Sequence, residues 1–152
     1  MMYDVSVLKT VEECRRVIDR ARAQNKPEFA EAALRRLSEL YGSENDDPSD
    51  PIVRTFFEGL AFYEQILFEK HGKNVKAGRT RQKIKNKGVY QSLIDWSRAK
   101  GESDGFKACV AAGRPELTGE YIVVQYAHRF PEDVVDGARE RLTLHDIALP
   151  SP

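Results

Sequence analysis

The sequence predicts an all-α fold, a single compact domain of six to eight helices packed around a central apolar helix at about residues 51–70. Three observations carry that expectation. Apolar residues recur at three- and four-residue steps through most of the chain. The residues between those stretches are helix punctuation, with Thr, Ser, Asp or Pro at the starts and Gly at the ends. The one β-like stretch, "EYIVVQY" at 120–126, has no pairing partner elsewhere, and a lone strand is not a stable element, so helix is favoured there too. At 152 residues, 41% apolar and 9% aromatic, the chain fits one domain with a core of its own.

Taken in order, Thr10 and Glu13 form a capping box ahead of Val11, Cys14, Val17, Ile18 and Ala21, which predicts a first helix from about Val11 to Gln24. Pro27 suits a first helical position. Phe29, Ala33, Leu34, Leu37 and Leu40 make the next stripe, with Gly42 as a left-handed stop, so the first two helices form a hairpin. Residues 43–50, "SENDDPSD", read as an acidic linker whose Asp50, with Pro51, starts the central helix. Pro48 and Pro51 break the ligand alternation of a calcium loop, so Asp46, Asp47 and Asp50 are assigned to linker and cap roles. The central helix carries Ile52, Val53, Phe56, Phe57, Leu60, Tyr63, Ile66 and Leu67 and ends at His71 and Gly72.

A polar helix or loop set around Ile84 follows, and after Gly88 comes a packed helix with Val89, Leu93 and Trp96. Ser103 or Asp104 caps a short helix bearing Phe106, Cys109 and Val110, ended by Gly113. Pro115 and Glu116 open the next, with Leu117, Tyr121 and Val124, and Pro131 to Leu142 forms the last helix. Residues 143–152 are expected to be an extended tail. The expected core is Phe29, Leu37, Phe56, Phe57, Leu60, Tyr63, Leu67, Leu93, Trp96, Phe106, Val110 and Val124. No apolar run approaches the roughly 20 residues needed to cross a bilayer. The N-terminus has no export pattern and Cys14 and Cys109 read as buried reduced thiols, so the expected setting is a bacterial cytoplasm, with no membrane partner.

Charge is the most informative feature. The chain has 24 basic and 24 acidic residues, yet residues 70–88, "KHGKNVKAGRTRQKIKNKG", hold eight bases and no acid. The other 16 bases therefore face all 24 acids, a net −8 against a local +8. Cations this close repel one another unless solvent or an anion compensates. A nucleic acid is the expected anion, with DNA ahead of RNA. The candidate contact residues are Lys73, Lys76, Arg79, Thr80, Arg81, Gln82, Lys83, Lys85 and Lys87. Lys73, Lys76, Arg79 with Thr80, Lys83 and Lys87 are spaced along one helical side, and four to six phosphate contacts would set a salt slope of about −4 to −5 on log axes. An acidic protein, or the acidic linker of a second copy, is the alternative partner, which would make the run an oligomerisation device.

The search for chemistry yields little. The three histidines fall on different elements, there is no H-E-x-x-H, C-x-x-C or G-x-x-x-x-G-K-[ST], and "GKNVKAG" lacks the strand and terminal hydroxyl of a phosphate loop. No metal ligand set or cofactor site is expected. Arg139 and His145, with five residues between them, resemble the R-x(4 to 6)-H spacing of the HEPN ribonucleases. That resemblance implies an Arg that stabilises phosphate charge and a His that moves protons. With three histidines in the chain and many arginines, roughly 0.8 such matches arise by chance, and Glu140 departs from the uncharged residue that usually follows the Arg.

The stretch "GRTRQKIKNKGVYQSLIDW", continued by "GFKACVAAGRPELTGEYIVVQY", resembles small helical modules found with bacterial restriction-type nucleases. The resemblance covers roughly residues 52–142 and implies an accessory or recognition role with the cutting centre in another chain. The resulting expectation is a non-catalytic nucleic-acid-binding or accessory module.

Overall fold

A computed structural model describes residues 4–42, 46–72 and 76–151. The described residues form seven α-helices: α1 Val11–Ala23, α2 Pro27–Tyr41, α3 Pro51–His71, α4 Gly78–Arg98, α5 Asp104–Ala111, α6 Gly119–Gln125 and α7 Glu132–Leu144. Two 3-10 turns, Pro115–Leu117 and Ala127–Arg129, flank α6, and no strand occurs among the described residues. The β-like stretch is therefore helical. No helix among the described residues is long and apolar enough to cross a membrane.

The local start signals work as their chemistry requires. Thr10 Oγ1 accepts the Glu13 N–H at 3.1 Å and donates to Glu13 Oε1 at 3.0 Å. The Glu13 carboxylate also takes the Lys9 N–H, at 3.3 Å, so the capping box closes on the amide before Thr10. Asp50 caps α3 by accepting the Ile52 N–H at 2.9 Å, and Ser103 caps α5 by accepting the Phe106 N–H at 3.1 Å. Gly42 ends α2 differently from expectation. Its φ of −7° and ψ of 124° are not left-handed. Its N–H still closes the helix onto Ser38 and Glu39, and a Cβ there would lie 2.6 Å from the Glu39 carbonyl oxygen, which is why glycine is needed.

α1 and α2 pair as a hairpin, α2 lies on α3, and α3 contacts α1, α2, α4, α5 and α6. It is the centre of the fold because its apolar residues cover more than one face: Ile52, Val53, Phe56, Phe57, Leu60 and Ala61 are all buried. Tyr41 stacks on Phe57 with ring centres 5.0 Å apart, and Phe56 lies near-parallel to Trp96 at 5.9 Å. Gly59 lets the turn at Leu117 approach α3 closely, because a Cβ there would lie 2.4 Å from the Leu117 carbonyl oxygen. Gly59→Ala is expected to lower the unfolding free energy by about 1–3 kcal/mol in urea titrations, as overpacking against backbone does. A variant as stable as wild type would show that the turn moves freely.

The second half of the chain departs more from expectation. The basic segment is helical from Gly78 and continues through a kink at Gly88, whose φ of 83° and ψ of 170° are essentially restricted to glycine. The helical segment after the kink needs a cap, and Asp46 Oδ1 from the acidic linker accepts the Val89 N–H at 2.9 Å. Thr118 Oγ1 accepts the Tyr121 N–H, so α6 begins at Gly119 and Pro115 opens only a 3-10 turn. Thr143 and Leu144, expected in the tail, belong to α7. Beyond them the Ile147 N–H returns to the Leu142 carbonyl at 3.0 Å, and Ile147 packs on the core.

Leu37, Phe56, Phe57, Leu60, Leu93, Phe106 and Val124 are buried as expected, whereas Phe29, Tyr63, Leu67, Trp96 and Val110 are only partly so. Ile122, Val123, Val134, Val135, Ala138 and Leu142 complete the core from α6 and α7, which pack on each other. Cys14 and Cys109 are free and buried, and burial pushes both thiols up to about 11.

Candidate nucleic-acid interface and adjoining cavity

The eight-cation run does not remain a uniform patch once folded. Glu64, buried on α3, accepts Arg81 Nε at 2.7 Å and Nη2 at 2.5 Å, the Ala77 N–H at 2.8 Å and the Tyr41 hydroxyl at 2.9 Å. Burial pushes the Glu64 carboxyl up, but the bonds from Arg81, Ala77 and Tyr41 outweigh it and hold the group below its ordinary value. The same pair raises Arg81, whose guanidinium also lies 4.9 Å from the Tyr41 ring centre. Lys76 meets Glu12 on α1 at 3.0 Å and lowers that carboxyl. Asp95 accepts Lys83 at 2.9 Å and Lys87 at 3.3 Å and is held well below the usual carboxylate range, first by Lys83 and then by Gln91.

Fold topology thus supplies acids that the local sequence lacks. Glu12 is 64 residues from Lys76, and Glu64 is 17 from Arg81. The expected helical side is divided accordingly. Lys73 lies outside the described residues, and Lys76 precedes the first turn of α4. Lys83 turns to Asp95 and sits 5.8 Å from the Trp96 ring centre, while Thr80 lines a cavity. Arg79, Gln82 and Asn86 follow one exposed side with Lys85 next to them, and Gln82 donates to Asn86 at 3.2 Å. Among the described residues Arg79 and Lys85 have no acid within ion-pairing distance. Lys87 keeps a half-exposed side chain.

The acidic linker is engaged within its own chain as well. Besides Asp46 on Val89, Asp50 Oδ2 accepts the Tyr90 hydroxyl at 2.6 Å and Arg129 at 3.2 Å. Arg129 also lies 5.1 Å over the Tyr90 ring, which stacks on Phe130 at 5.7 Å, so Tyr90 is held by internal partners. Arg139 and His145 take separate partners. Arg139 meets Asp136 at 3.7 Å, whereas His145 meets Glu102 and sets its ring edge-on to Phe106 at 5.2 Å.

A cavity of about 400 Å³ adjoins Arg79 and Thr80 and is walled by α3, the start and end of α4, α5 and the start of α6. Its apolar walls include Phe56, Tyr63, Trp96 and Phe106. This explains why Tyr63 and Trp96 are not fully buried: part of each side chain borders the cavity. The sequence carried no signal for this, since apolar periodicity does not separate a core position from a cavity wall. Glu120, also on the wall, is buried, and its Oε2 accepts Arg141 at 2.7 Å. Desolvation raises the Glu120 carboxyl despite that bond. No family of known proteins, no curated protein and no solved structure matches this chain.

Proposed function

We propose that the chain is a non-catalytic nucleic-acid-binding module, with α4 laid along the phosphate backbone and DNA preferred to RNA. The observation that carries the reading is the exposed side of α4, where Arg79 and Lys85 have no acid partner among the described residues. Gln82 and Asn86 add uncharged donors and half-exposed Lys87 adds a third cation. Arg81, Lys83 and Lys76 act as internal ties rather than free contacts. The number of phosphate contacts falls to about three, and the expected salt slope to about −3 on log axes. The partner reading that sets the basic run against a second copy's linker is weaker, since Asp46 and Asp50 are used within the chain.

Binding to labelled duplex DNA, single-stranded DNA and RNA across a salt series tests this, beside an Arg79→Glu/Lys85→Glu variant checked by circular dichroism. The expected result is salt-steep binding by wild type and a loss of about tenfold or more in the variant. Binding that survives the double reversal would remove α4 as the contact surface. Absence of binding to all three polymers would remove the reading itself. Arg81 and Lys83 are left untouched because reversing them sets an acid against Glu64 or Asp95.

A further inference from the structure

The cavity beside Arg79 has a chemistry that phosphate tracking does not use. Its walls carry four aromatic side chains, Phe56, Tyr63, Trp96 and Phe106. At about 400 Å³ it falls within the roughly 300–1,000 Å³ of small-molecule sites. Charge on the lining is separated by segment. The stretch 76–80 contributes Lys76 and Arg79, while the α5 and α6 starts contribute Asp104 and Glu120. Glu12 already answers Lys76 and Arg141 already answers Glu120, whereas Arg79 has no acid partner among the described residues.

An aliphatic ligand would leave the part-exposed Tyr63 and Trp96 rings without a planar partner in the cavity, and a simple aromatic acid would leave Asp104 without a donor. A nucleotide answers each feature. Its base offers a planar π-face and N–H donors, and its phosphate offers an anion for a guanidinium.

We infer that the cavity binds one nucleotide, its base among Phe56, Tyr63, Trp96 and Phe106 and its phosphate at Arg79. The occupant is either a free nucleoside monophosphate or a single nucleotide turned out of a strand. The two sources share this chemistry. The site shares only Arg79 with the surface of α4 and stands without the polymer reading.

Trp96 is the chain's one tryptophan and forms part of the wall, so its emission reports the occupant directly. Guanosine 5′-monophosphate is the probe, because guanine presents N–H donors suited to a carboxylate. The expected result is saturable quenching of Trp96 that inorganic phosphate does not reproduce and that guanosine reproduces only at concentrations about tenfold higher or more. Arg79→Glu should weaken the mononucleotide by about tenfold or more.

Gly105→Leu should abolish quenching. The atoms nearest a Cβ at Gly105 are in the Tyr63 ring at 3.8 Å and Ser103 Oγ at 3.9 Å, ordinary contact distances, and Gly105 lines the cavity, so the added side chain can enter it. Circular dichroism confirms the fold of both variants, and Arg79→Glu decides the matter if Gly105→Leu unfolds. A short single-stranded oligonucleotide that quenches Trp96 and is displaced by the mononucleotide identifies a strand as the source. Quenching by the mononucleotide alone identifies a free nucleotide.

No saturable quenching by either, or quenching unchanged by both variants, overturns the proposal. Salt-steep polymer binding without any change at Trp96 would overturn the cavity and leave the surface, and mononucleotide quenching without polymer binding would do the reverse.

Discussion

Arg141→Ala is expected to lower the unfolding free energy by about 3–5 kcal/mol, the size of effect seen when one partner of a buried ion pair is removed. Both side chains are shielded, with 10% of Arg141 and 5% of Glu120 accessible. Arg141 also donates to the Trp96 carbonyl at 3.1 Å and the Ala99 carbonyl at 2.7 Å, so one guanidinium joins α7 to α6 and to the C-terminal end of α4. Without it, Glu120 is a buried carboxylate with no cation. Urea unfolding at neutral pH measures the loss, and Arg141→Ala/Glu120→Gln should recover roughly half of it, the part due to the stranded charge.

The pH dependence separates this from simple loss of packing. Desolvation already raises the Glu120 carboxyl in the folded protein, and removing Arg141 raises it further. A raised folded value favours folding with the proton on, so that contribution is complete below the ordinary 4.5 and is lost as pH rises through the folded value. Arg141→Ala should therefore be least impaired in mild acid and most impaired at neutral pH. A deficit that is constant across pH would assign the whole effect to the lost carbonyl contacts.

Glu64→Ala is the second large effect, about 2–4 kcal/mol, lower because the Arg81 left behind is 35% accessible and can reach water. The variant removes the acceptor for Arg81, the Ala77 N–H and the Tyr41 hydroxyl together, so the start of α4 loses its anchor to α3. The sign with pH is opposite to that of Glu120. Glu64 is lowered in the folded protein, so its stabilisation is complete above the ordinary 4.5 and is lost as pH falls through the lowered value. Wild type should lose stability through that range and Glu64→Gln should lose less of it, as read by thermal melts from pH 7 to pH 3. Equal acid sensitivity in both would place the titrating group elsewhere.

The two variants also bear on function. Arg81 was among the cations that the sequence suggested for phosphate contact, yet its Nε and Nη2 both face Glu64. Its removal should appear in unfolding curves before it appears in polymer binding, whereas reversal of Arg79 and Lys85 should do the opposite.

Most of the fold was legible because its rules are local. Thr10, Asp50 and Ser103 each accept an N–H within three residues, and the stripe from Ile52 to Leu60 needs only the helical repeat to declare a buried face. The misreadings at Gly42 and Pro115 have local causes as well. Gly42 is dictated by contact with the Glu39 carbonyl rather than by a left-handed turn, and Thr118 supplies a better cap than the residues around Pro115. The site was less legible, since residues 70–94 contain no acid and a charge count therefore saw only cations.

By itself the sequence determined where the helices begin and end, that α3 would be central, and that positive charge would be concentrated before and along α4. Those follow from hydrogen bonds and periodicity acting within about four residues. Only the tertiary structure decided which cations are free. Coulombic pairing depends on distance in space, and folding brings Glu12, Glu64 and Asp95 to Lys76, Arg81 and Lys83 while leaving Arg79 and Lys85 without acids among the described residues. Packing likewise decided that Tyr63 and Trp96 border a cavity, because whether an apolar side chain is wholly covered is set by how α3, α4, α5 and α6 come together.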